Sequence, residues 1–353
     1  MKKIVLNSCD KEELAEFVTS LGEKPYRASQ MFKWLHGKRC RSLDEMSDLP
    51  KDARQKLAEI SEILTITKQS EVLSPKDDSI KVLFTLSDGE RIESVILTDG
   101  KRVTGCISTQ VGCRMGCKFC ATAKIGFRRN LSSAEIVEQV NMLEQITLAN
   151  KFTTEGRLTN IVFMGMGEPL DNFENVRKSL LILMDDNGYG YSHRRITVST
   201  AGIVGKMTKL FSLDTPVNLA VSLNAPNQEI RKEIMPVAVK YHLKDMIDEL
   251  KCLPVDRRKK IMLEYVLIKG VNDSRENALE LVSLIKKLPV KINLIRYNSG
   301  GDIALKPPSE QDVLDFQKVL TANSLPVFIR KSMGSDISGA CGQLAAGYKE
   351  TLI

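Results

Sequence analysis

Val103-Thr104-Gly105-Cys106-Ile107-Ser108-Thr109-Gln110-Val111-Gly112-Cys113-Arg114-Met115-Gly116-Cys117-Lys118-Phe119-Cys120 is the stretch on which the fold turns. Val103 to Ser108 has the composition of a strand, and it runs almost directly into three cysteines spaced C-x3-C-x2-C. Gly112 and Gly116 suit the tight turns such a loop needs. Three thiolates on one loop can hold three irons of a [4Fe–4S] cluster. The fourth iron is then left without a protein ligand and open to a small molecule. A structural zinc held by the same cysteines and a distant fourth ligand is the other reading. Zinc sites usually pair their cysteines or add histidines near by, whereas His36, His193 and His242 are each isolated.

Downstream of this loop, strand and helix patterns alternate. Asn160–Met164, Arg195–Thr200, Val217–Leu223, Met262–Ile268, Lys291–Tyr297 and a short Val327–Arg330 read as strands. Helical segments are expected at Ser132–Ile146, Asn172–Met184, and near 203–212, 239–251, 274–287 and 309–322. Some six βα units in a row imply a parallel sheet closed into a full or partial barrel. In such a barrel the loops after the strand C-termini carry the chemistry. Upstream the first seventy or so residues read as helices, at Asp10–Leu21 (Asp10 as N-cap), Arg27–Leu35 and Leu49–Ile60. Lys81–Leu86 and Arg91–Leu97, joined through Ser87-Asp88-Gly89-Glu90, read as a hairpin. The expected division is a helical accessory domain over 1–75, a linking hairpin over 76–98 and an α/β partial-barrel core over 99–353.

The chain has 353 residues, 42% hydrophobic and 27% charged, enough for one large domain and a smaller one. No apolar run reaches the length of a membrane-spanning helix, and the apolar start Ile4-Val5-Leu6 is too short for a secretory signal. Eight cysteines are too few for a disulfide scaffold at this length. A cytoplasmic location is expected. The net charge of +7 is localised: residues 101–130 contain Lys101, Arg102, Arg114, Lys118, Lys124, Arg128 and Arg129 and no acid, so the remainder sums to zero. Such a segment suits a polyanionic partner.

Other residues are less decisive on their own. Cys341, in Ser338-Gly339-Ala340-Cys341-Gly342-Gln343, has small neighbours that leave a thiol open to close approach, as a nucleophile requires. Cys106, inside an apolar strand, reads as a buried hydrophobe. Glu93 reads as the exposed side of a strand. Ser199, Ser222, Asn224 and Asn298 end barrel strands and by themselves read as loop caps. Cys9, Cys40 and Cys252 carry no motif.

A C-x3-C-x2-C run with an aromatic before its last cysteine, opening a βα barrel, resembles the radical S-adenosylmethionine (SAM) enzymes. The resemblance narrows to the RlmN/Cfr family of RNA adenine methyltransferases. It is carried by Thr109-Gln110-Val111-Gly112-Cys113, Phe119-Cys120-Ala121-Thr122, Gly126-Phe127-Arg128-Arg129-Asn130-Leu131, Met164-Gly165-Met166-Gly167-Glu168-Pro169-Leu170 and Ala340-Cys341-Gly342-Gln343-Leu344, and extends from about Tyr26 to Tyr348.

The resemblance implies a radical SAM (βα)6-type partial TIM barrel and two cofactors. One is a [4Fe–4S] cluster on Cys113, Cys117 and Cys120. The other is SAM, contacted by Gly167, Glu168, Ser199, Ser222, Leu223, Asn224 and Asn298. Asn224 departs from the family's common Ser-Leu-His string. The resemblance also implies that Cys341 is methylated by a first SAM. A 5′-deoxyadenosyl radical from a second SAM then activates that methyl for transfer to adenine. Cys106 resolves the covalent RNA adduct through a transient disulfide with Cys341, and Glu93 accepts the proton. Adenine C2 lies between two ring nitrogens and is too electron-poor to attack the SAM methyl directly, which explains the equipment. The implied partners are 23S rRNA, tRNA and an electron donor such as flavodoxin or ferredoxin, with the chain a monomer. The N-terminal helices, including Gln30-Met31-Phe32-Lys33-Trp34-Leu35, resemble the family's RNA-binding accessory domain. Methylation at C2 is expected from Gln110-Val111-Gly112, Gly126-Phe127 and Glu168-Pro169-Leu170. Ile295-Arg296-Tyr297-Asn298 is closer to the branch that methylates C8. A reading of another class is a non-catalytic RNA-binding protein with a structural metal site.

Overall fold

The structure, a computed structural model, describes residues 3–213, 216–255, 260–300 and 304–347. Tyr348, where the motif resemblance ends, lies outside them. The N-terminal region opens with β1 (Ile4–Val5), which pairs in parallel with β2 (Ser61–Glu62). Helices α1 (Lys11–Ser20), α2 (Tyr26–Phe32) and α3 (Lys51–Ile60) lie between them. α1 starts where expected because Asp10 accepts the Glu13 amide while Glu13 reaches back to the Asp10 amide, satisfying two orphan donors of the first turn. α2 runs on into a π-helical turn at Lys33–Gly37.

Among the described residues, ten strands form the main sheet. They are β3 (Thr67–Leu73), β4 (Ile80–Thr85), β5 (Arg91–Asp99), β6 (Arg102–Cys106), β9 (Asn160–Phe163), β10 (Ile196–Thr200), β11 (Asn218–Ser222), β12 (Ile261–Leu267), β13 (Val290–Arg296) and β14 (Val327–Arg330), in spatial order 14-13-12-11-10-9-6-5-4-3. The two missing numbers, β7 (Gln110–Gly112) and β8 (Phe127–Asn130), form a separate antiparallel hairpin around the cysteine loop. From β6 to β14 every pairing is parallel, which requires crossovers. Helices α5 (Ser133–Ala149), α6 (Phe173–Met184), α7 (Met207–Phe211), α9 (Leu243–Cys252), α10 (Arg275–Ile285) and α11 (Glu310–Ala322) supply them. Two further helices, α4 (Ala121–Ile125) and α8 (Gln228–Ile234), sit on the rim.

β5 pairs antiparallel with β6, so the hairpin expected to link two domains extends the barrel sheet itself. β3 continues it through residues expected to be helical. All seven β3 side chains are exposed, so no apolar alternation marks the strand. The core is formed where parallel strands are covered on both faces: Ile161, Val198, Ala220, Val221, Leu263 and Leu294 are fully shielded from solvent.

Candidate active site

The cysteine loop is shaped by the β7–β8 hairpin. Gly112 adopts φ +71°, and a Cβ there would lie 1.6 Å from the Gly126 carbonyl oxygen. No other residue fits that crossing, across which the Cys113 amide donates to the same oxygen at 3.1 Å. Burial pushes the Cys113 thiol up to about 12 and raises Cys117 and Cys120 as well, the neighbouring thiolates adding to the shift. Three half-buried cysteines whose thiolates repel one another call for a cationic group between them. Among the described residues, no three His, Cys, Asp or Glu side chains converge closely enough to hold one metal ion. Three thiols on one short loop suit a [4Fe–4S] cluster, in which each binds its own iron and one iron stays open, better than mononuclear zinc, which usually pairs its cysteines or adds histidines near by.

The cavity beside this loop opens at the C-terminal ends of the barrel strands, and Cys113, Cys117 and Cys120 form one wall. Gly167, Glu168, Ser199, Ser222, Asn224 and Asn298 all line it, so the rim residues expected to contact SAM are brought together. Leu223 is the exception: it is fully buried and does not line the cavity. Its backbone contributes instead, donating to the Glu264 carbonyl at 3.0 Å and accepting from Arg231 at 3.2 Å.

Glu168 follows β9 through Gly167, whose φ of +98° and close approach to the Gln110 side chain exclude a Cβ. Its carboxylate accepts the Leu170 amide at 3.0 Å and the Ala201 amide at 2.6 Å, tying the end of β9 to the end of β10. Burial raises this carboxyl to about 7, with the Ala201 hydrogen bond opposing the shift. An ammonium group placed beside it would restore the charged form. Asn224, also on the rim, holds φ +57°, a conformation asparagine tolerates. Its side-chain oxygen accepts the Val266 amide at 2.9 Å and its amide nitrogen approaches the Met235 sulfur at 3.3 Å. The residue that departs from the family string thus joins the β11 loop to β12.

Cys341 lines the same cavity from a loop laced to its neighbours. The Ala121 amide, directly after Cys120, donates to the Gly342 carbonyl at 2.7 Å, and the Thr122 hydroxyl donates to the Leu344 carbonyl at 2.7 Å. Asn298 donates to the Cys341 carbonyl at 3.3 Å. Asp77, beyond β3, accepts the Gly334 amide at 2.8 Å. Glu93 is not on an exposed face as its sequence suggested. It is only 5% exposed, and one carboxylate oxygen accepts the Ala345 and Ala346 amides at 2.8 and 2.9 Å. The other oxygen pairs with Lys81 at 3.2 Å. Cys106 ends β6, buried, and burial pushes its thiol up to about 12. Charge on Cys341 raises it further and Arg330 lowers it, so all three groups lie within electrostatic reach of one another. Both cysteines are free thiols.

Two charged residues in the cavity wall were not singled out from the sequence. Arg330 ends β14 and faces Glu264 on β12 at 3.9 Å. Glu264 stands inside the apolar run Ile261–Leu267, and that oddity was the available signal. The basic segment also differs from its linear reading. Arg114 pairs with Asp171 at 2.9 Å, Arg128 with Glu90 at 3.0 Å, and Arg129 with Asp88 and Glu135 at 2.6 and 2.8 Å. Lys101, Arg102, Lys118 and Lys124 are exposed to solvent, as are the paired Arg114 and Arg128.

Residues 4–63 match the ribosomal RNA large subunit methyltransferase N-terminal domain, and residues 107–282 match the radical SAM superfamily. The probable dual-specificity RNA methyltransferase RlmN of Clostridioides difficile is 42% identical over 348 residues, covering 99% of both chains. The dual-specificity RNA methyltransferase RlmN 2 of Myxococcus xanthus is 43% identical, covering 98% of this chain and 91% of its own. The chain belongs to the RlmN family. A radical SAM methyltransferase from Sphaerobacter thermophilus superposes with a TM-score of 0.89 at 38% identity, covering 97% of this chain and 99% of the other. That likeness extends the RlmN assignment from sequence to three-dimensional fold. Membership brings the family's two cofactors, a [4Fe–4S] cluster and SAM, to which the three-thiol loop and the rim beside it are suited. No described helix is long and apolar enough to cross a membrane.

Proposed function

We propose that the chain methylates C2 of an adenosine in 23S rRNA and of an adenosine in tRNA, consuming two SAM molecules for each methyl transferred. The observation that carries this reading is the pair of thiols outside the cluster motif. Cys341 lies in the cavity wall beside the cysteine loop, and Cys106 is close enough for their charges to interact. A binding module with a structural metal has no use for either.

Cys113, Cys117 and Cys120 hold the cluster, and Gly167, Glu168, Ser199, Ser222, Asn224 and Asn298 surround SAM, with Glu168 accepting from its ammonium group. Cluster and SAM together supply a carbon-centred radical able to remove hydrogen from an unactivated methyl. The protein's own groups do the rest. The Cys341 thiolate displaces S-adenosylhomocysteine and becomes S-methylated. After the activated carbon has bonded to C2, the adduct must lose one electron, which the bound cluster would accept, and Glu93 takes the proton from C2, so that the ring regains its aromaticity. The Cys106 thiolate then attacks the Cys341 sulfur, forming the disulfide as the carbon–sulfur bond breaks, and the released carbon takes up the proton held by Glu93 to become the methyl group of the departing RNA. Reduction by two electrons restores both thiols.

The N-terminal helices between β1 and β2 serve as the RNA-binding accessory unit, and β3, β4 and β5 join them to the core as an extension of its sheet. Exposed cations of the 101–130 segment supply phosphate attraction. The reductant is a low-potential flavodoxin or ferredoxin, and the enzyme works as a cytoplasmic monomer. The test is nucleoside mass spectrometry of 23S rRNA and tRNA after treatment with anaerobically reconstituted protein, SAM and reductant. 2-Methyladenosine that disappears in Cys341→Ala is expected. 8-Methyladenosine would move the activity to the other branch, and the absence of any methyladenosine from a protein that cleaves SAM would refute the substrate.

A further inference from the structure

Among the described residues, Arg231 is the largest side chain fully shielded from solvent. Its guanidinium donates to the carbonyls of Ala201 at 2.6 Å, Leu223 at 3.2 Å, Ser222 at 3.3 Å and Tyr241 at 3.5 Å. These bonds satisfy its donors without neutralising its charge. Among the described residues no carboxylate forms an ion pair with it. A buried cation without a counter-ion is costly to fold and is retained only where an anion completes it.

That anion has a definite place. α8, which carries Arg231, ends against the cysteine loop, where the Lys118 amide donates to the Ile234 carbonyl at 2.9 Å. Two of the carbonyls that hold the Arg231 guanidinium belong to Ala201 and Ser222, which line the same cavity as Cys117. A [4Fe–4S]2+ core with three thiolates carries a net charge of minus one, and one-electron reduction makes it minus two. A fixed positive charge stabilises the second state more than the first.

We propose that Arg231 is the built-in counter-charge of the iron–sulfur cluster, a positioning residue that raises the cluster's reduction potential and so eases its one-electron reduction. The inference rests on the assignment of Cys113, Cys117 and Cys120 as cluster ligands. It gives the otherwise unexplained burial of an unpaired cation a redox purpose.

The experiment is an anaerobic redox titration with dithionite on reconstituted full-length protein, followed by electron paramagnetic resonance of the reduced cluster. Wild type, Arg231→Gln and Arg231→Lys are compared, with iron and sulfide counted in each. At equal applied potential, Arg231→Gln should hold about tenfold less reduced cluster than wild type, a shift of about 59 mV for one electron. Arg231→Lys should stay within about threefold of wild type. An unchanged Arg231→Gln potential overturns the proposal, as do equal shifts in both variants, which would make shape rather than charge the cause. Should Arg231→Gln fail to fold, the lysine variant decides by itself. A buried ammonium loses its proton far more readily than a guanidinium. Its potential should therefore fall between pH 6 and 9 relative to wild type, and a profile parallel to wild type refutes the idea. Failure of the ligand assignment looks different: Cys117→Ala would then retain full iron and an unaltered resonance.

Discussion

Replacing Gly112 by alanine tests whether the β7–β8 crossing builds the cluster site. Two costs are separable. The first is conformational: at φ +71° an L-residue costs roughly 1 kcal/mol. The second is steric: the added methyl would sit 1.6 Å from the Gly126 oxygen, less than half a contact distance, with the Gly126 carbon at 2.8 Å. That neighbour is backbone, so the hairpin must open and the hydrogen bond from Cys113 to Gly126 must break. Loss of that bond adds about 1 kcal/mol, and rearranging a buried turn adds about 1–3 more. Gly100 supplies the control, because its φ is +57° and a Cβ there meets nothing within 4 Å. Gly100→Ala should therefore cost only the first term, about 1 kcal/mol, and bind iron normally. Gly112→Ala should cost about 3–5 kcal/mol, read from urea unfolding of the cluster-free protein. After reconstitution it should retain less than about half of the wild-type iron. Equal destabilisation of the two variants, or a full iron complement in Gly112→Ala, would refute the reasoning.

The raised Glu168 carboxyl gives a pH signature. Because an ammonium ligand requires the ionised form, affinity for S-adenosylhomocysteine should rise as pH increases through about 7. The gain is roughly eightfold between pH 6 and 7.5 by calorimetry, and Glu168→Gln should flatten it. The stability linkage has the opposite sense. The folded carboxyl holds its proton above its ordinary 4.5, so this group's contribution to stability declines as pH climbs from about 4.5 to 7 and is constant beyond. Glu93→Gln removes the charge opposite Lys81 while an amide oxygen can still accept from Ala345 or Ala346. Thermal unfolding should report a loss of about 1–3 kcal/mol. The covalent RNA adduct should accumulate on denaturing gels, and an adduct that turns over at the wild-type rate would exclude Glu93 as the base.

The parts of the site that could be read in the sequence share one property: their chemistry is local. The cysteine spacing, Gly167-Glu168 and the strand-end polar residues all depend on neighbours within a few positions, and all but Leu223 meet at one cavity. Glu93 was illegible because β5 is covered on both faces. Ser94 on one side bonds Gln139 of α5 at 2.8 Å, and Glu93 on the other is capped by the Cys341 loop some 250 residues away, so alternation predicts nothing. Arg114, Arg128 and Arg129 of the 101–130 segment differ from their linear reading for a related reason. Their counter-ions Asp88, Glu90, Glu135 and Asp171 lie outside the window in which charge was counted. α8 was passed over because it is a single short helix inserted between β11 and α9, and with it went Arg231.

The lacing of the Cys341 loop also bears on how the protein is made. Residues 334–347 follow every barrel strand in the chain, yet they rest on α4 and β5, which leave the ribosome some two hundred residues earlier. For most of its synthesis the barrel mouth is therefore uncapped, with the three cluster cysteines already in place on their hairpin. The methyl-carrying thiol then arrives last, and its docking through Thr122 and Glu93 turns a cofactor-loading scaffold into a closed reaction chamber.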